Sequence, residues 1–310
     1  MGNHVEGGLL QGGLKAALYV LLEAALWVLL VSASSAHAQS WQVGTSPSFL
    51  TGSYGGDAQT EIFYAPVTAK RLFKDGDLTV VVPYLCVTGT VGVTIVGESP
   101  IRTGGGTTTT TVTSPTRPGA ASGTRDTGTS TSRTTAGTST PAAAPTVQRS
   151  CGLGDVVVRG RYYVLDERRW YPTIALRAHL KAPTADDERG LGTGRPDEGV
   201  GVEITRTIGG GLSVMADGGY TFIGQPDGVE FNRPWWYDVG LGQDLARGVV
   251  NVSVFYEQYQ AIVPGLPNAQ DVLVALTLKN RGWQAQIAAQ VGASEGAAER
   301  GFTVGISRRF

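Results

Sequence analysis

Ionisable side chains that could act on a solute recur at alternate positions in the C-terminal half of the sequence: Arg159 and Arg161, then Arg177, His179 and Lys181. Farther along come Glu203, Asp217, Asp238, Asp244 and Glu257. Alternate spacing puts such residues on one face of a strand, so a basic sector is expected to face an acidic sector across an enclosed space. Opposed charges of this kind make a transverse field able to orient polar solutes; closed as salt bridges, they brace a wall instead. Hydrolytic chemistry fits poorly. A lipid or peptide hydrolase needs a nucleophile or activated water beside a base. Once residues 1–38 are removed, His179 is the one histidine, and it falls on the enclosed face rather than toward lipid. No C-x-x-C spacing occurs, so no metal and no cofactor are expected. The acidic, glycine-rich run at 184–199, with Asp186, Asp187, Glu188, Asp197 and Glu198, lacks the spacing of an EF-hand loop. Plain solvation, Ca²⁺ binding and cation-mediated bridging to lipopolysaccharide are the uses open to it.

The elements that must hold these residues are short strands. Residues 271–279 alternate, with Val272, Val274, Leu276 and Leu278 on one face, Asp271, Ala275, Thr277 and Lys279 on the other, and Leu273 as an exception. Strands are predicted near 42–50, 57–71, 78–88, 155–165, 172–182, 199–208, 211–222, 235–244, 249–260, 270–279, 282–291 and 302–310. Their connections alternate between tight turns, such as 280–281, 246–247, 209–210, 167–168 and 75–76, and longer polar segments near 292–300, 264–270, 224–233 and 183–198. Gly209, Gly210 and Gly211 form a hairpin turn and not a phosphate cradle, since no helix follows. Short turns at one end, long loops at the other and an even strand count are the signature of an all-β, transmembrane antiparallel β-barrel of about 12 strands. Tyr162, Trp170, Tyr171, Trp235, Trp236, Tyr237 and Trp283 fall near predicted strand ends, as interface girdles or as ordinary turn aromatics.

Composition agrees with a barrel exposed to lipid. Charged residues make up 16% of the chain and glycine accounts for 44 of its 310 residues. The formal net charge of -1 supplies no basic field, so no nucleic-acid partner is expected. An apolar run at 16–31 ahead of Ala36 and Ala38 reads as a signal peptide, residues 1–38, with an uncleaved anchor as the alternative. The barrel would then occupy 39–310. No other stretch is long and apolar enough for a spanning helix, so any crossing must be by strands. Residues 104–145 are nearly all Thr, Ser, Gly, Ala and Pro, which predicts one long disordered extracellular loop. Cys86 and Cys151 flank it, and a disulfide between them would clamp its base.

Phe302, Val304, Ile306 and Phe310 resemble the C-terminal strand signature read by the barrel-assembly machinery, with Arg308 standing where an aromatic or apolar residue is usual. A wider resemblance lies in Gly152-Leu153-Gly154-Asp155, in Lys181-Ala182-Pro183-Thr184 leading into Gly190-Leu191-Gly192-Thr193-Gly194-Arg195-Pro196-Asp197, and in Gly219-Tyr220-Thr221. These residues resemble the outer-membrane transporter family of the meta-pathway of phenol degradation. Ala185 replaces the glycine that commonly follows Pro-Thr, and the threonine-rich insert is unusual for the family. The resemblance implies a bacterial outer-membrane barrel and, for some members, uptake of aromatic compounds. Three functions are therefore in play: a passive channel for small, aromatic or hydrophobic molecules, a surface interaction or structural barrel acting through its long loop, and a membrane hydrolase. The expected partners are outer-membrane lipid and lipopolysaccharide, the assembly machinery and a small-molecule solute. A 12-stranded wall predicts a narrow or plugged lumen.

Overall fold

The computed structural model describes residues 40–54, 59–89, 92–96, 99–104, 148–226 and 230–310. The signal peptide expected at 1–38 lies outside the described residues, as does the insert at 104–145 apart from Gly104. Sixteen strands follow one another: β1 (Trp41–Thr45), β2 (Ser48–Gly52), β3 (Thr60–Leu72), β4 (Gly76–Gly89), β5 (Gly92–Val96), β6 (Ser99–Gly104), β7 (Gln148–Leu153) and β8 (Val156–Leu165), then β9 (Thr173–Ala182), β10 (Asp197–Gly209), β11 (Leu212–Phe222), β12 (Trp235–Leu245), β13 (Val250–Tyr259), β14 (Ala269–Asn280), β15 (Trp283–Gly292) and β16 (Arg300–Arg309). β5 and β6 form a separate hairpin, which the sequence reading missed.

The other strands close into one antiparallel barrel. β1 and β2 share a single position between β16 and β3 in unbroken register, interrupted only around Pro47, which has no N–H to give the ladder. β7 and β8 likewise share the position beside β4. Counted this way the wall has 12 positions, and β16 returns to β1 and β2 to close it. The junction of β7 and β8 carries a bulge. Tyr84 pairs with Leu153 but Val81 pairs with Val157, so the β7–β8 side holds one extra residue opposite Pro83. Pro83 lacks a donor and accepts from the Gly154 N–H at 2.8 Å. A one-residue slip exchanges the two faces of a strand. Cys151 on β7 therefore points outward, while Asp155, Arg159 and Arg161 point inward.

The outer face is apolar: Val200, Val202, Val254, Val272, Val274, Ile287, Phe302 and Val304 are all exposed, in the alternation expected of a wall facing lipid. Inside, at the long-loop end, sits an apolar core of Leu50, Tyr54, Ile62, Tyr64, Leu85, Val87, Leu191 and Ala298. Burial, with Asp271 nearby, pushes the Tyr54 phenol further up, so it stays a neutral member of that core. Two sequence expectations change. The connection predicted as a tight turn at 167–168 spans residues 166–172 and folds back on β10, where Glu167 accepts from the Thr207 N–H at 2.8 Å and from its hydroxyl at 3.0 Å. Trp236, grouped with the girdle aromatics, is buried inside the barrel, whereas its neighbours Trp235 and Tyr237 stack with ring centroids 5.8 Å apart.

Candidate functional site in the barrel lumen

Two cavities of about 260 and 250 Å³ lie inside the wall and share Ser46, Tyr64, Arg159 and Arg177. The one nearer the short turns is polar, with Gln42, Thr68, Lys70, Asp77, Gln284 and Gln286 among its walls. The other adds His179, Trp236, Asp238, Glu257, Tyr259 and Leu273. Leu273, the exception in the alternation of β14, is therefore an inward residue.

The pairing register builds the electrostatics. On β8 and β9, Arg159 stands opposite His179 and Arg161 opposite Arg177. Around the adjoining wall, Glu203 pairs with Asp217, Asp217 with Asp238, Asp238 with Glu257, and Glu257 with Asp271, five carboxylates at successive register positions across β10 to β14. Strands in a barrel are tilted, so such a row climbs obliquely. It starts mid-strand at Glu203 and ends at Asp271, next to the long-loop end of β14. Like charges directly opposite are destabilising, and the row depends on cations from the neighbouring strands. Arg161 lies 3.2 Å from Glu203 and 3.9 Å from Asp77, and Arg177 pairs with Asp217.

Glycines on the inner face seat rings. Gly201, Gly219 and Trp236 form one row, and a Cβ added at Gly219 or Gly201 would lie 3.0 or 3.2 Å from the Trp236 indole. That indole thus lies flat across two strands and reaches Arg177, whose guanidinium carbon is 5.6 Å from a Trp236 ring. A Cβ at Gly199 would collide with the His179 imidazole. The missing side chains leave no open track here; aromatic surface fills the space.

Two residues assigned to the lumen from sequence sit elsewhere. Asp244 is at the exposed short-turn rim, accepting from Asn251 at 2.8 Å. Lys181 does point inward but is sealed off, 1% exposed, 3.1 Å from Asp155 and 2.6 Å from Asp197, and it donates to Thr193 at 3.0 Å. Asp155 also accepts from the Thr184 and Ala185 N–H groups, and Asp197 from Gly224. The motif segments that carry Asp155, Lys181 to Thr184, and Thr193 to Asp197 therefore converge on one buried ion cluster, which fixes residues 183–196 so that Leu191 can enter the apolar core. Sequence spacing reveals the residue types of this cluster, but not their meeting, because the bulge at 154–155 decides where Asp155 points.

Cys86 and Cys151 stand directly opposite each other and are disulfide-bonded on the outer face, with Cα atoms 4.1 Å apart.

A family model described as putative MetA-pathway of phenol degradation matches residues 89–310. No curated protein matches the chain in sequence. Among solved structures, an outer membrane channel from Pseudomonas putida F1 is 12% identical, with 88% of this chain and 95% of that chain covered and a TM-score of 0.53. The KdgM porin is 7% identical over 87% and 99% of the two chains, TM-score 0.46. The toluene transporter TodX of P. putida is 9% identical over 89% and 91%, TM-score 0.40. At these identities the likeness concerns the fold.

Proposed function

The chain belongs to the family described as putative MetA-pathway of phenol degradation, and from that premise we propose that it is a passive outer-membrane channel for small aromatic molecules bearing polar groups. The observation that carries the reading is the inclined row Glu203, Asp217, Asp238, Glu257, Asp271: Arg161 and Arg177 pair with its Glu203 and Asp217 end, while Asp238 and Glu257 line one cavity together with Arg159 and His179. A wall built only for strength has no need of a carboxylate at five successive register positions, since each like-charged pair lowers stability. A passage benefits from it, because opposed charge sectors turn a dipolar solute edge-on to a narrow bore. Tyr64, Trp236 and Tyr259 offer ring surface beside those charges, so a solute with an aromatic body and a hydroxyl or carboxyl group finds both partners. The Trp236 Nε1 donor is buried with no hydrogen-bond partner among the described residues. No reacting group beside a base is needed for such a role.

Single-channel conductance of the refolded barrel in a planar bilayer tests this, with aromatic acids and neutral aromatics added as blockers. Discrete steps with solute-dependent block are expected, with weaker block in Asp238→Asn than in the wild type. A heat-modifiable, folded barrel that neither conducts nor admits labelled aromatic solutes into liposomes overturns the proposal.

A further inference from the structure

Arg308 breaks the apolar alternation of β16, and the structure gives this position a definite setting. It pairs in register with Trp283 on one side and Val43 on the other, both exposed on the lipid-facing surface like Phe302, Val304 and Ile306. Its guanidinium carbon lies 5.1 Å from the Trp283 ring and 4.9 Å from the Phe310 ring. Among the described residues, no acidic side chain forms an ion pair with it.

A charge facing lipid is costly at the bilayer centre and tolerated near the interface, where β16 ends. Contact with ring faces holds the guanidinium in place without using its N–H donors, whose planar fork matches the two oxygens of a phosphodiester. The surrounding rim has the sign that favours an anion. Lys74, Arg168, Arg169, Arg247, Arg281 and Arg309 lie at the short-turn end, against Asp75, Asp166, Glu167 and Asp244. The long-loop end has the opposite bias, with Asp186, Asp187, Glu188, Glu230, Glu295 and Glu299 in its connections. At the depth of Trp283, the abundant anion on the outside of the barrel is a lipid headgroup.

We propose that Arg308, held by Trp283 and Phe310, is a binding site for the headgroup phosphate of an anionic phospholipid in the leaflet at the short-turn end of the barrel. Native mass spectrometry of the folded barrel, after exchange into mixed phosphatidylglycerol and phosphatidylcholine nanodiscs, reads the retained lipid directly. The wild type is expected to keep phosphatidylglycerol in preference to phosphatidylcholine. Arg308→Gln should lower that retention about fivefold, the effect of one basic group near a charged surface. Arg308→Lys should fall between the two, since it keeps the charge and loses the fork. Arg247→Gln, which removes a rim charge with no ring contacts, should retain lipid like the wild type. Equal loss in Arg247→Gln and Arg308→Gln overturns the site in favour of a diffuse rim field, and so does undiminished retention in a folded Arg308→Gln. If Arg308→Gln does not fold, Trp283→Leu serves in its place, with reduced retention expected and wild-type retention overturning the site. Displacement of the lipid by millimolar inorganic phosphate alone overturns the lipid assignment.

Discussion

A single buried ammonium organises the long-loop end of the barrel. Lys181 is held by Asp155 and Asp197 and is almost wholly removed from water. Removing one partner of a buried ion cluster leaves the others uncompensated, at about 3–5 kcal/mol. Lys181→Met is therefore expected to lower stability by about that amount, read as a shift of the urea midpoint for loss of heat-modifiable migration. A shift no larger than that of an exposed Lys279→Met control would mean that the cluster does not hold the loop. Gly219 makes a second residue-scale case. Its missing side chain lets the Trp236 indole lie across the wall, and an added Cβ would also collide with the Val200 carbonyl. Gly219→Val should displace the ring and move the tryptophan emission relative to wild type. An unchanged spectrum in a folded variant argues against the seat.

At the scale of elements, β4 and β7 are joined twice, by their ladder and by the Cys86–Cys151 bond, which closes a 65-residue separation. In the chain-entropy account a loop of this length contributes about 4 kcal/mol, acting mainly on the unfolded chain. Cys86→Ser with Cys151→Ser should lose stability of that order while keeping the barrel's strand content, and the wild type should gain mass on alkylation only after reduction. Full labelling of both thiols without reduction would remove the bond from the account. The alternation of apolar and polar residues made most strands legible, including β9, β13 and β14, because one face meets lipid and the other does not. β7 was not legible. It is short and ends in a bulge, and its faces are swapped relative to β8, so no continuous period-2 pattern survives across Gly154 and Asp155. β1 and β2 read as one strand near 42–50, since Pro47 removes a donor without changing the register.

For the whole molecule, the lumen has a polar middle and an apolar stopper. Leu191 enters the core formed by Leu50, Ile62, Leu85 and Val87 at the long-loop end, and under the proposed channel function this core stands in the path of a solute arriving from that side. Leu191→Ala is expected to cost about 2–5 kcal/mol locally and to raise the open probability in bilayer recordings, with strand content unchanged. Unaltered gating would place the constriction elsewhere, between Arg177 and Trp236.

Taken by itself, the amino-acid sequence determined the membrane-barrel class, the number of wall positions and the inward direction of Arg159, Arg161, Arg177, His179, Glu203, Asp217, Asp238 and Glu257. All of these follow from local periodicity and from the lengths of turns. Only the tertiary structure decided which of these residues meet. The carboxylate row depends on the register between successive strands, which no single strand encodes. The burial of Lys181 depends on a loop folding back into the bore, and the inward turn of Asp155 on a bulge opposite a proline of another strand. Local pattern sets the face on which a side chain lies, whereas its partners are set by register and loop packing, which come from contacts distant in sequence.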